Sequence, residues 1–100
     1  MANKTTINLS LNNTELYKGC KIEEVAGRLN LITPVEEAVD KIGRNAAAIV
    51  AACEDRSEVT LTGPMAVWAY LIVFHQVVHA FGRVYYDDGR GNCVLVAAHG

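Results

Sequence analysis

Apolar and polar residues alternate from Thr5 to Leu11, with Ile7, Leu9 and Leu11 on one side and Asn8 and Ser10 on the other. A period of two marks a half-buried strand, and Asn12-Asn13 ends it with a turn signal. From Glu15 to Asn30 the pattern admits two readings. Ile22, Val25 and Leu29 fit a short helix, whereas Leu16-Tyr17 before Gly19 fits a second strand. The next element is clearer. Thr33-Pro34-Val35-Glu36 supplies an N-cap Thr, a first-turn Pro and a capping-box Glu. Val35, Ala38, Val39, Ile42, Ala46, Ile49, Val50 and Cys53 then recur at helical spacing, with Glu36, Glu37, Asp40, Lys41 and Arg44 mainly on the opposite face. An amphipathic helix lying on a sheet is expected. Gly43 within it costs about 1 kcal/mol relative to Ala.

Glu58 to Thr62 reads as a short strand with Val59 and Leu61 pointing one way. Gly63-Pro64 breaks it, and Pro64 suits the first residue of a helix running to about Ala80. Met65 to Phe74 is apolar nearly all round. A helix without a wet face must be covered on both sides, so part of it is expected to pack on a second subunit. Arg83 to Asp87 and Cys93 to Ala98 form a hairpin around Asp88-Gly89-Arg90-Gly91. This order predicts one α+β domain over residues 1–100, a mixed or antiparallel sheet with helices on one face. The ferredoxin-like plan is the nearest common arrangement.

Composition narrows the class. One hundred residues, 51% apolar and 20% charged, suit a single globular domain. Met1 to Lys4 lacks the start of a secretory signal. The Met65–Phe74 run is about half the length of a bilayer span, and His75 and Gln76 end it. The expectation is a cytoplasmic protein without a membrane partner. Cys20, Cys53 and Cys93 are odd in number, lack a C-x-x-C pair and sit beside apolar residues, so all three read as buried thiols. The net charge of −2, without a basic run, disfavours long nucleic acid as a partner. A small phosphate-bearing ligand needs only one or two placed cations.

Candidate chemistry gathers between Gly63 and Gly91. His75 and His79 are four apart, on one face of the second long helix. Asp88 and Arg90 follow in the hairpin turn, and Gly63-Pro64 opens the helix, whose free N–H groups favour an anion. Each also has a plain reading. The histidines serve as capped or interface residues, Asp88-Gly89-Arg90-Gly91 as a good turn, and Trp68 and Tyr70 as core or interface.

Leu61-Thr62-Gly63-Pro64, Trp68, His75, His79 and Val84-Tyr85-Tyr86-Asp87-Asp88-Gly89-Arg90-Gly91 together resemble the core of the third CRISPR-associated ring nuclease family, the Csx family of type three. Its members carry a strand ending in Gly-Pro, a Trp-bearing helix with histidines near its end, and a strand running into Asp-Pro-Arg-x-Gly. Gly89 stands here where the family has Pro. The resemblance lies mainly in residues 61–100.

The resemblance implies a dimer, or a dimer of dimers, that binds cyclic tetra-adenylate and linearises it with manganese support, switching off type III CRISPR signalling. It implies a catalytic set of His79, Asp88 and Arg90. Gly63, Pro64, His75 and Arg90 would bind the ring, and His79 and Asp88 would hold manganese. In that family the ring is sandwiched between dimers, with catalytic groups from opposite sides. The residue types suit the reaction. The RNA 2′-hydroxyl attacks the adjacent phosphorus, so the protein must align it, move a proton and stabilise phosphoryl charge. Histidine suits proton transfer near neutral pH and arginine suits bidentate phosphate contact. Two further readings stand beside this one: a non-catalytic sensor of a cyclic oligonucleotide or small anion, and a homo-oligomerising structural module.

Overall fold

A computed structural model describes residues 5–98, so the reading of Met1–Lys4 lies outside the described residues. The elements are β1 (Thr5–Asn8), β2 (Ile22–Val25), β3 (Arg28–Leu31), α1 (Val35–Ala52), β4 (Glu58–Thr62), α2 (Val67–Val78), β5 (Arg83–Asp87) and β6 (Cys93–Ala98). The main sheet has the order β1-β4-β5-β6, and β2-β3 forms a separate hairpin. β1, β4 and β5 are parallel, while β6 returns antiparallel to β5.

The chain moves one strand across the sheet at each crossover, carrying α1 between β1 and β4 and α2 between β4 and β5. Such crossovers share a right hand, so both helices lie on one face. This is the expected α+β layer, with βαβ units that resemble the ferredoxin-like plan. The covered face of the sheet is apolar: Ile7, Val59, Leu61 and Val84 are buried, and Leu9 continues their row. From above, α1 supplies Ala38, Ile42, Ala46 and Val50, spaced four apart, and α2 supplies Ala69, Val73 and Val77. Small residues let the helices approach closely; a Cβ at Gly43 would lie 3.7 Å from Ile72 Cγ2.

β4 and the β5–β6 hairpin have the boundaries their patterns predict. Four expectations are corrected. First, the Glu15–Asn30 stretch is neither a short helix nor a strand at Leu16-Tyr17. Leu16 and Tyr17 are buried in turns, and residues 22–31 form a hairpin. Its two turn residues, Ala26 (φ 52°) and Gly27 (φ 78°), both have the positive φ of the tight turn that matches strand twist. Second, Thr33 does not cap α1. Its buried Oγ1 accepts the Lys21 N–H at 2.6 Å, locking the base of that hairpin, and Pro34 takes the cap position.

Third, Pro64 is not the first residue of α2. Gly63 (φ +102°) turns the chain sharply, and the helix begins three residues after Pro64, at Val67. Finally, Cys93 is exposed, because β6 is an edge strand beyond the cover of the helices; Cys20 and Cys53 are half-buried. Among the described residues no helix is long and apolar enough to cross a membrane.

Candidate functional site

Parallel alignment brings the C-terminal ends of three strands to one edge, in the register Asn8↔Thr62↔Asp87. In open sheets with parallel strands this edge is where loops gather ligands. Thr62 Oγ1 donates to the Asp87 carbonyl at 3.0 Å and ties two of the ends together. Gly63 follows in a conformation that only glycine adopts easily. A Cβ there would strike Asn8 Oδ1 and lie 2.9 Å from Ser10 N, so the close approach of β1 and β4 requires the glycine. Tyr70 on α2 donates its hydroxyl proton to the Gly63 carbonyl. Its pKa is pushed up to about 12, first by burial and then by Tyr86 and Asp87.

The β5–β6 turn sits at the same edge. Asp87 Oδ1 accepts the Gly89 N–H at 2.8 Å. Asp88 Oδ1 accepts the N–H groups of Arg90 at 2.7 Å and Asn92 at 3.2 Å, while its Oδ2 accepts Asn92 Nδ2 at 2.9 Å. These bonds, the Asn92 side chain first, hold the Asp88 carboxyl below the ordinary 3.8. Asp88 is therefore an anion that organises the turn, and Arg90 projects from it exposed, with no side-chain partner among the described residues.

The histidines lie elsewhere. α2 runs back from the strand-end edge, and its exposed stripe is Val67, Leu71, His75 and His79. The imidazole rings of His75 and His79 meet edge to face, with centroids 5.2 Å apart and planes at 76°. His79 caps the end of α2, just before Gly82 and Arg83 bond to Arg56 and Ser57 at the opposite ends of the strands. It lines a hollow of about 370 Å³ with Val78 and Phe81. Five-residue β5 alone separates that level from Asp88 by about 16 Å. Thus Gly63, Pro64, Asp88 and Arg90 share one edge, and His75 and His79 do not join them within one chain.

This separation bears on manganese. His79 and Asp88 cannot share an ion inside one protomer, and Asp88's oxygens already accept three donors. Among the described residues no group of three or more His, Cys, Asp or Glu side chains is placed to hold a metal. The described residues of one chain therefore do not fit the ion.

The strand-end edge also holds a feature absent from the motif reading. Asn8, Ser10, Asn12, Arg28, Thr62 and Gly63 surround a hollow of about 700 Å³. Its signals in the sequence were Asn8-x-Ser10-x-Asn12, which reads as strand and turn, and Ala26-Gly27-Arg28, which makes sense only as a hairpin tip. No family model, curated protein or solved structure matches this chain.

Proposed function

We propose that the protein is a ring nuclease that binds and linearises a cyclic oligoadenylate, cyclic tetra-adenylate being the expected ring, with the site completed by two protomers. The observation that carries this reading is the placement of its polar groups on two edges. Arg90 and the Gly63-Pro64 turn occupy the strand-end edge, whereas His79 stands at the far end of α2 with His75 one turn before it. A ring held between the strand-end edge of one protomer and the histidine-bearing region of another meets both sets. This agrees with the sandwich that the motif resemblance implies.

In such a site each group acts on the phosphodiester in a defined way. Arg90 offers a planar donor pair to the phosphoryl oxygens and stabilises the charge that grows on them. His79, exposed at its helix end, removes the 2′-hydroxyl proton as the oxygen attacks phosphorus, or returns one to the leaving 5′-oxygen. His75, one turn away, positions the His79 ring through its edge-to-face contact. Asp88 acts through Arg90 by fixing the turn that presents it. Incubating the protein with cyclic tetra-adenylate, with and without manganese, and resolving products by chromatography tests the reading. An uncut ring, across several ring sizes, overturns it.

One observation favours the sensor reading as the second choice. Asp88, a member of the implied catalytic set, gives both carboxylate oxygens to its own turn. A protein that binds the ring tightly, and returns it uncut, is such a sensor.

A further inference from the structure

We propose that the hollow between the β2–β3 turn and the ends of β1 and β4 binds the phosphate of a nucleotide, with Arg28 as its cation. The inference deepens the reading above by assigning a second phosphate contact, and it rests on that reading only for the identity of the ring.

The hollow is shaped for an anion. Asn8 Oδ1 accepts the Ser10 N–H at 2.8 Å and Asn12 Oδ1 accepts the Ser10 hydroxyl. With the amide oxygens occupied, the Nδ2 groups of Asn8 and Asn12 remain as donors without partners among the described residues. The Arg28 guanidinium likewise has no partner there, and no Asp or Glu lines the hollow. Three sets of unused donors around a space without a carboxylate favour a negatively charged oxygen ligand. Leu11, Leu29 and Pro64 complete the wall with apolar surface, suited to the sugar or base that a phosphate carries. A volume of about 700 Å³ accommodates one nucleotide unit.

The hairpin fixes Arg28 in place. Lys21 and Thr33 clamp its base, and Ile32 N donates to Lys21 O at 2.8 Å. Ile22 and Leu31 pack against the core. At the tip, Ala26 holds a positive φ uncommon for a residue with a Cβ, and the tight turn leaves Arg28 as the first residue of β3, facing the hollow.

The test is a nitrogen-15 NMR titration with adenosine 5′-monophosphate, alongside cleavage assays on cyclic tetra-adenylate. The expected result is movement of the Asn8 and Asn12 side-chain amides and the Gly63 amide. Arg28→Glu should weaken the nucleotide by about tenfold or more, Arg28→Lys should weaken it less, and Arg44→Ala, at an exposed position of α1, should leave it close to unchanged. Arg28 is exposed, so these variants should melt with the wild type; Asn12→Ala supplies an independent check. Signals that stay still, or an affinity indifferent to both Arg28→Glu and Asn12→Ala, overturn the proposal. A ring cut by a protein whose hollow does not respond overturns only this inference. A hollow that binds the nucleotide in a protein indifferent to the ring sustains it and overturns the ring nuclease reading.

Discussion

The Tyr70 hydroxyl donates to the carbonyl oxygen of Gly63, joining the first turns of α2 to the bend that ends β4. The same ring meets Tyr86 of β5 edge to face, at 5.4 Å and 82°. One side chain therefore braces the strand-end edge from above. Tyr70→Phe keeps the ring contact and removes the donor. It should lower stability by about 1 kcal/mol, read as a fall in melting temperature of about 4–8 °C for a domain of this size. It should also shift the Gly63 and Thr62 amide signals. A melting point equal to wild type would mean that water replaces the hydroxyl without loss.

Asp88 separates a positioning role from a chemical one. A carboxyl whose folded pKa is lowered stabilises the fold above its ordinary value of 3.8 and loses that contribution as pH falls through the lower folded value. The Arg90 and Asn92 amide shifts should thus titrate with a midpoint below 3.8. Asp88→Asn keeps an acceptor for the Arg90 and Asn92 N–H groups, so it should retain most ring binding and cleavage, whereas Asp88→Ala should lose both. Cleavage abolished by Asp88→Asn, with binding intact, would make the carboxylate a participant in the reaction.

The strands and helices were legible where one period ran uninterrupted. Val59 and Leu61 in β4, the β5–β6 hairpin and the Ala38-to-Val50 stripe of α1 all follow from spacing alone. Local chemistry misled where a tertiary contact outcompeted it. Thr33 has the composition of a cap, yet Lys21 takes its oxygen; Pro64 has the look of a helix start, yet Gly63 first needs space to turn beneath Asn8. The site was legible as residue types and not as a constellation. His79 and Asp88 are nine positions apart, but β5 lies between them and carries them to opposite edges. Arg28 was invisible as a site residue because its placement depends on a turn containing a non-glycine residue at positive φ.

The exposed stripe of α2 and the free edge of β6 point to self-association. Leu71 is 62% exposed, and Val94, Leu95 and Val96 are each near half exposed on an edge strand that carries no charge. Leu71, Phe74, Tyr86 and Val96 line a wholly apolar groove. Unprotected apolar edges of this kind pair with another chain, and a second copy supplies the same edge across a two-fold axis. Light scattering should therefore give a dimer, and Val96→Asp or Leu71→Asp should give a folded monomer. Leu71→Ala should barely change the monomer's stability, because that side chain is not in its core. A wild-type monomer at micromolar concentration would remove this interface.

Mixing two inactive variants tests the shared site most directly. His79→Ala and Arg90→Ala should each remove most cleavage, because each takes one group from the transition state. If the ring sits between the strand-end edge of one protomer and the histidine-bearing region of the next, a mixture of the two variants re-creates intact junctions. A strand-end edge from His79→Ala still carries Arg90, and a helix end from Arg90→Ala still carries His79. Random assembly of equal amounts gives about one intact junction in four, so cleavage should return to about a quarter of the wild-type rate. The double variant, with both groups missing from every chain, should rescue neither single variant. Two single variants that stay inactive together, while each still binds the ring and assembles, would show that the groups do not meet across protomers. Their placement on opposite edges of one chain would then leave His79 outside the reaction.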